Sequence, residues 1–314
     1  MGAVVRPPRS VLAAGLILAA CAGPEPGPAV ARAWPTMGTM MSAAVWGPDS
    51  AALDRALDAV RDTTEALDSL LSTFRDDSEI SQVNRGGGTR EGGTVTAAFA
   101  AILTEALAVA RASAGAFDPT QRDWRGVTLD SMGGTVRVRR GLALDFGGIA
   151  KGYALDRAAA LLAGVADSAL LDLGGQFLWV GPATRRTVGI ADPVNSLVAI
   201  AAVELREGSI STSSQAEQPD HIVEPRRGRP AGSSSRSVTV IASRGIAADA
   251  WSTAFFVMGC DSALALAPRL TAWRVSVVCA DSGEVRWTGD LDGRVFLPTI
   301  PPRPEGAAPP ARAP

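Results

Sequence analysis

Three residues occur once each in this 314-residue chain: one lysine, Lys151, one tyrosine, Tyr153, and one histidine, His221. The first two share the segment Leu144-Asp-Phe-Gly-Gly-Ile-Ala-Lys-Gly-Tyr153. Lysine supplies one of the 30 basic residues and arginine all the rest. An ammonium on a thin stem reaches where a wide planar guanidinium does not. Glycines at 147, 148 and 152 predict close backbone approach beside it, so the segment reads as a narrow, glycine-lined gap with a point charge in it. His221 is the one side chain whose ordinary titration range spans neutral pH, which makes it the candidate proton carrier.

A second constellation lies in Ala247-Ala-Asp-Ala-Trp-Ser-Thr-Ala-Phe-Phe256. Read as a helix, it puts Asp249 and Thr253 four residues apart on one face. A carboxylate and a hydroxyl are hard oxygen donors of the kind Mg²⁺ takes. The same pair also fits an aspartate capping its helix and a threonine bonded to its own turn.

The elements that must position these groups alternate between helix and strand. Asp49 or Ser50 starts a helix whose stripe is Leu53, Leu57, Val60, Thr64, Leu67 and Leu71, ending near Phe74. A second helix runs from about Thr96 to Ala114, and Gly115 breaks it. Ala116-Phe-Asp-Pro-Thr120 then reads as a turn exposing Asp118. A third helix follows Lys151, with Ala154, Leu155, Ala158, Leu161 and Leu162 inward. Strands are predicted at Ala169–Leu173, Val188–Ile190, Leu197–Leu205, Ser237–Ala242 and Val275–Cys279, giving an α+β class.

The ends are of another composition. Arg6 and Arg9 precede an apolar run from Val11 to Ala20, well short of the ~20 residues of a membrane-spanning helix. Leu18-Ala-Ala-Cys21 resembles the bacterial lipobox, so residues 1–21 are read as an export signal and Cys21 as the lipidated anchor. Residues 22–33 are read as a disordered proline-rich tether, 34–300 as one domain and 301–314 as a disordered tail. A net charge of −2 gives no reason to expect nucleic acid as a partner. Cys260 and Cys279 each end an apolar segment and are read as buried small residues, with a disulfide left open outside the cytoplasm.

Seven short motifs, in order, resemble the FAD:protein FMN transferases, once described as thiamine-biosynthesis lipoproteins. They are Thr36-Met-Gly-Thr-Met40, Leu71 to Asn84, Gly115 to Thr120, Leu144 to Tyr153 with Asp156, Leu173-Gly-Gly175, His221-Ile-Val-Glu-Pro225 and Asp249 to Thr253. The resemblance implies a T-fold-like α+β domain that works outside the cytoplasm with FAD and Mg²⁺. It implies transfer of FMN to a threonine of an exported acceptor protein, with AMP released. Carried over by motif, Met37 and Phe74 line the flavin, and Ala116, Phe117 and Asp118 form part of its wall. Gly147 and Tyr153 bracket the phosphates. The carbonyl of Ala150 and the side chains of Asp249 and Thr253 hold the metal, and His221 stands near the reacting phosphate. Lys151 and His221 are the catalytic candidates, with Asp118 as an alternative base.

Departures cluster around His221: Glu224 stands for the usual aspartate, Arg227 for a small hydroxyl residue and Ser214 for glycine. Hydrolysis of FAD to FMN and AMP at the same site, or flavin binding without chemistry, remain open alternatives at this level.

Overall fold

The computed structural model describes residues 30–86, 92–130, 134–181, 186–195, 197–205, 207–215, 221–232 and 236–298. The export segment with Cys21, residues 22–29 of the tether and the tail from 301 lie outside the described residues. In chain order the elements are β1 (Val30–Thr36), β2 (Thr39–Trp46), α1 (Ser50–Leu71), α2 (Glu79–Arg85), β3 (Gly93–Thr94), α3 (Ala97–Ala112), β4 (Val127–Asp130), β5 (Thr135–Val138) and α4 (Ala150–Leu162). There follow β6 (Ser168–Leu173), β7 (Gln176–Val180), β8 (Arg186–Ala191), β9 (Ala199–Leu205), β10 (Gly208–Ser214), β11 (Val223–Glu224), β12 (Arg229–Pro230) and β13 (Ser237–Ala242). The last are α5 (Gly245–Met258), α6 (Cys260–Leu266), β14 (Ser276–Asp281), β15 (Glu284–Trp287) and β16 (Val295–Phe296). This is the α+β class the sequence predicts.

An eight-stranded sheet, in the order β1-β2-β6-β7-β10-β13-β14-β15, carries the molecule, and every pairing in it is antiparallel. Helices cover one face. Met41, Ala43 and Val45 of β2 alternate inward with Leu171 and Leu173 of β6, and meet Leu53, Leu57 and Val60 of α1 and Leu155 of α4. Further along, α5 lies over β10 and β13 in a second core with Phe99 and Phe146. The opposite face is covered in part by the small sheet β16-β9-β8, which buries Phe177 and Trp179 of β7.

The stripe on α1 is buried at all six expected positions, and Asp49 caps it by accepting from the Ala52 N–H at 3.0 Å. Thr64 serves as a fastener in that stripe, since its hydroxyl accepts from the Trp34 indole at 3.0 Å and its carbonyl from Thr36 Oγ1 at 3.2 Å. Both contacts lock α1 to β1.

One expectation needs correction, and one left open is settled. Val30 to Ala33, read as the end of a disordered tether, begin β1: they pair residue for residue with β2, and Arg32 binds Asp58 at 2.6 Å and Asp54 at 2.7 Å on α1. Cys260 and Cys279 are buried, as expected, and the bridge the sequence left open is formed between them. The start of α6 lies over the middle of β14, which brings their Cα atoms to 5.6 Å, within bridging range.

Candidate functional site

Two helices begin against each other, and neither has a cap of its own. Ile149 before α4 and Arg244 before α5 provide no side-chain cap, although the first N–H groups of a helix need acceptors. Each helix supplies the other. Asp249 Oδ2 of α5 accepts from the Gly152 N–H of α4 at 2.9 Å. Asp156 of α4 accepts from the Gly245 and Ile246 N–H groups of α5 at 2.5 and 3.1 Å. Backbones touch at the crossing: a Cβ on Gly245 would stand 2.5 Å from the Gly152 carbonyl oxygen, and one on Gly152 would stand 2.7 Å from Ile246 Cα. Gln176 of β7 completes the joint, donating to the Gly245 carbonyl at 2.9 Å.

These contacts change the reading of the glycines. Gly152 makes room for α5, and Gly148 faces Thr253 and Phe117, with a Cβ there 3.0 Å from Thr253 Oγ1 and 3.3 Å from Phe117 Cε2. The narrow gap around Lys151 is therefore a seam between helices. Lys151 itself, the second residue of α4, is half-buried and makes no hydrogen bond or ion pair among the described residues.

Asp249 is 4% exposed and lies on the second turn of α5, so it does not cap its own helix. Only its Oδ2 is engaged among the described residues. Thr253 does turn back on its helix, but only at 3.4 Å to the Asp249 carbonyl, which leaves its hydroxyl capacity to spare. With Ala150 opening α4 two residues from Gly152, the structure brings the three expected metal-binding residues to one seam. Among the described residues no group of three or more His, Cys, Asp or Glu could hold a metal. One carboxylate, one hydroxyl and a carbonyl still form the kind of oxygen set that Mg²⁺ accepts while keeping water or phosphate.

The expected flavin wall is assembled in part. Pro119 and Asp145 are tied by the Asp145 N–H to the Pro119 carbonyl at 2.7 Å, so the turn after α3 lies beside the loop carrying Gly147. Asp145 shapes that loop by accepting from the Gly147 N–H at 2.7 Å. Asn84, which the sequence offered only as the end of a motif, holds the segment by bonding the Leu144 N–H at 2.6 Å and carbonyl at 2.9 Å. Tyr153 is partly buried between two cores, and Met37 sits in the β1–β2 turn at φ +49°.

Asp118 is not exposed by its turn. It is 8% exposed and accepts from Thr120 N and Thr120 Oγ1 at 2.7 Å each, and from Trp124 N at 2.9 Å. A carboxylate so occupied organises its loop: Oδ1 takes two donors and Oδ2 one. Phe74 lies three residues beyond α1 and is 98% exposed, so the protein alone does not fold it into a wall. His221 is exposed at the foot of the β11–β12 hairpin. Arg226 ties that hairpin to the turn after α3 by donating to the Ala114 carbonyl at 2.7 Å. Burial pushes the Asp156 carboxyl above its ordinary range despite its bonds to Ile246 and Gly245 and the nearby Arg244 guanidinium.

The ApbE family pattern matches residues 37–123 and 120–275, most of the described chain. The chain belongs to the ApbE family. Among its ApbE-family relatives, the FAD:protein FMN transferase of Treponema pallidum (strain Nichols) is 32% identical over 291 residues, covering 75% of this chain and 80% of the relative. That of Escherichia coli (strain K12) is 26% identical over 307 residues, covering 81% and 87%. Of the solved structures, an ApbE protein from Thermotoga maritima superposes with a TM-score of 0.74 at 22% identity, covering 84% of this chain and 98% of that one. The flavin transferase ApbE from Vibrio cholerae gives 0.73 at 21% identity, covering 84% and 98%. At those identities the likeness is one of fold, and the fold is the α+β arrangement described above.

Proposed function

We propose that this ApbE-family chain transfers FMN from FAD to a threonine hydroxyl of an exported acceptor protein, in a reaction that depends on Mg²⁺. The bond between the FMN phosphorus and the bridging oxygen breaks, a phosphoester to the threonine oxygen forms, the hydroxyl proton passes to a base, and AMP leaves. The name shared by the relatives supports the flavin chemistry. The observation that carries the site is the seam where Asp249 and Thr253 face the Gly148–Gly152 turn.

Ala150, Asp249 and Thr253 would hold the metal, which when bound neutralises charge on a diphosphate. The ammonium of Lys151, unpaired among the described residues, supplies further positive charge from the same turn. Asp118 is buried and already holds three donors of its own loop, whereas His221 is exposed, and we assign the threonine proton to His221. Met37, Ala116, Phe117, Gly147 and Tyr153 offer the flavin its wall, and Phe74 closes over it only when the ring is present. A disulfide between Cys260 and Cys279 supports work outside the cytoplasm, as does the lipobox at Cys21.

The test incubates the protein with FAD, Mg²⁺ and a threonine-bearing acceptor, following AMP release and acceptor mass. FMN-sized mass gain with equimolar AMP is expected. AMP without mass gain would make water the nucleophile, and absence of both would leave a flavin-binding protein. Asp249→Ala should lower turnover by at least about a hundredfold at limiting Mg²⁺. A wild-type rate in that variant would remove Asp249 from the metal site.

A further inference from the structure

Asp156 stands in the same relation to α5 as Asp249 does to α4. Its two carboxylate oxygens take the first two N–H groups of α5, and the Arg244 guanidinium, itself bound to Glu105 at 2.7 Å, lies 3.7 Å from Oδ2. Gly245 is thereby held at its N–H by Asp156, at its carbonyl by Gln176 and at its Cα by the Gly152 backbone. Four residues on from this pinned start comes Asp249, and Thr253 one turn after it. The rotation of α5 about its axis, and so the direction in which both side chains point, is set at its first residue.

We propose that Asp156 is a positioning residue of the site: by holding the start of α5 against α4, it fixes Asp249 and Thr253 in the orientation a divalent cation requires. This rests on the metal reading above. A carboxylate that only capped a helix would contribute stability and nothing to cation affinity. A positioning residue acts on both.

The experiment uses Asp156→Ala and Asp156→Asn in the full chain, loaded with FAD and without acceptor. Mn²⁺ serves as the probe, and binding is read from loss of the free-ion electron paramagnetic resonance signal. Amide hydrogen exchange at Gly245 and Ile246 is followed in parallel. Asp156→Ala should weaken Mn²⁺ binding by about tenfold or more, the usual effect of removing a group that orients a ligand. It should also speed exchange at both amides. Asp156→Asn retains an acceptor oxygen and should fall between alanine and wild type, and it carries the measurement should alanine fail to melt cooperatively. Faster exchange with unaltered Mn²⁺ affinity would overturn the proposal and leave a plain cap. Wild-type protein that binds no Mn²⁺ would overturn the metal reading itself, and the positioning role with it.

Discussion

Asp172 shows how one carboxylate couples to pH. It lies on the sheet face away from α1, in a groove shared with Ser42, Ala44, Leu170 and Phe177, and it accepts from the Gly175 N–H at 2.9 Å. Burial pushes its carboxyl above the ordinary range, and the Gly175 bond only partly offsets this. A raised carboxyl in the folded state contributes stability that is complete below the unfolded-state range and is lost as pH rises through the folded value. Asp172→Asn keeps the acceptor oxygen without the charge. It should melt above wild type by roughly 1–3 °C at pH 7, a modest figure because solvent reaches the group. That advantage should shrink on acidification and vanish below the ordinary carboxylate range; thermal melting from pH 3.5 to 7 checks it. Lys151→Arg tests the solitary lysine. The seam glycines pack against α5 rather than around the lysine, so melting should stay within about 0.5 kcal/mol of wild type. Transfer to an acceptor peptide should still fall about tenfold, because a compact ammonium and a wide fork do not meet a diphosphate alike. A wild-type rate would reduce Lys151 to a surface cation.

For the helices, the crossing of α4 and α5 is the demanding contact. Gly152→Ala drives a Cβ into the backbone of α5, where no side chain can swing aside. It should destabilise by about 3 kcal/mol or more, beyond typical overpacking because the obstacle is main chain. Chemical denaturation measures it; a neutral result would mean the helices can separate. This contact was invisible in the sequence, as were both caps, since the acceptors stand 97 and 89 residues away from their donors. The stripe and cap of α1 were legible because both are local. Asp118 was misread for the converse reason: Phe-Asp-Pro-Thr has the look of an open turn, and Trp124 closes it from six residues on. Strand β1 escaped notice because Val-Ala-Arg-Ala-Trp has little apolar alternation. Gln176 gave no signal beyond being one polar residue ahead of an apolar strand.

At the scale of the molecule, the class was legible and the strand order was not, because β6 enters between β2 and β7 only after more than a hundred residues that hold helices α1 to α4 and the strands β3, β4 and β5 of a separate sheet. The disulfide clips α6 to β14 over a separation of 19 residues. Closing a loop of that size is worth about 3 kcal/mol, so Cys279→Ser, or reduction, should lower unfolding free energy by about that much without touching the seam. Denaturant titration with and without reductant measures it. The paired caps have a kinetic consequence as well. The Gly152 N–H of α4 and the Gly245 and Ile246 N–H groups of α5 find their side-chain acceptors only on the other helix, so a half-built seam gains little and the two starts should form together, late, after the intervening strands have been laid down. In refolding, protection of the Gly152 and Gly245 amides should therefore emerge in one shared slow phase. A nascent chain still shielded from about residue 245 onward would carry a finished α1 and an α4 whose Gly152 donor is unmet, with one wall of the seam still inside the ribosome.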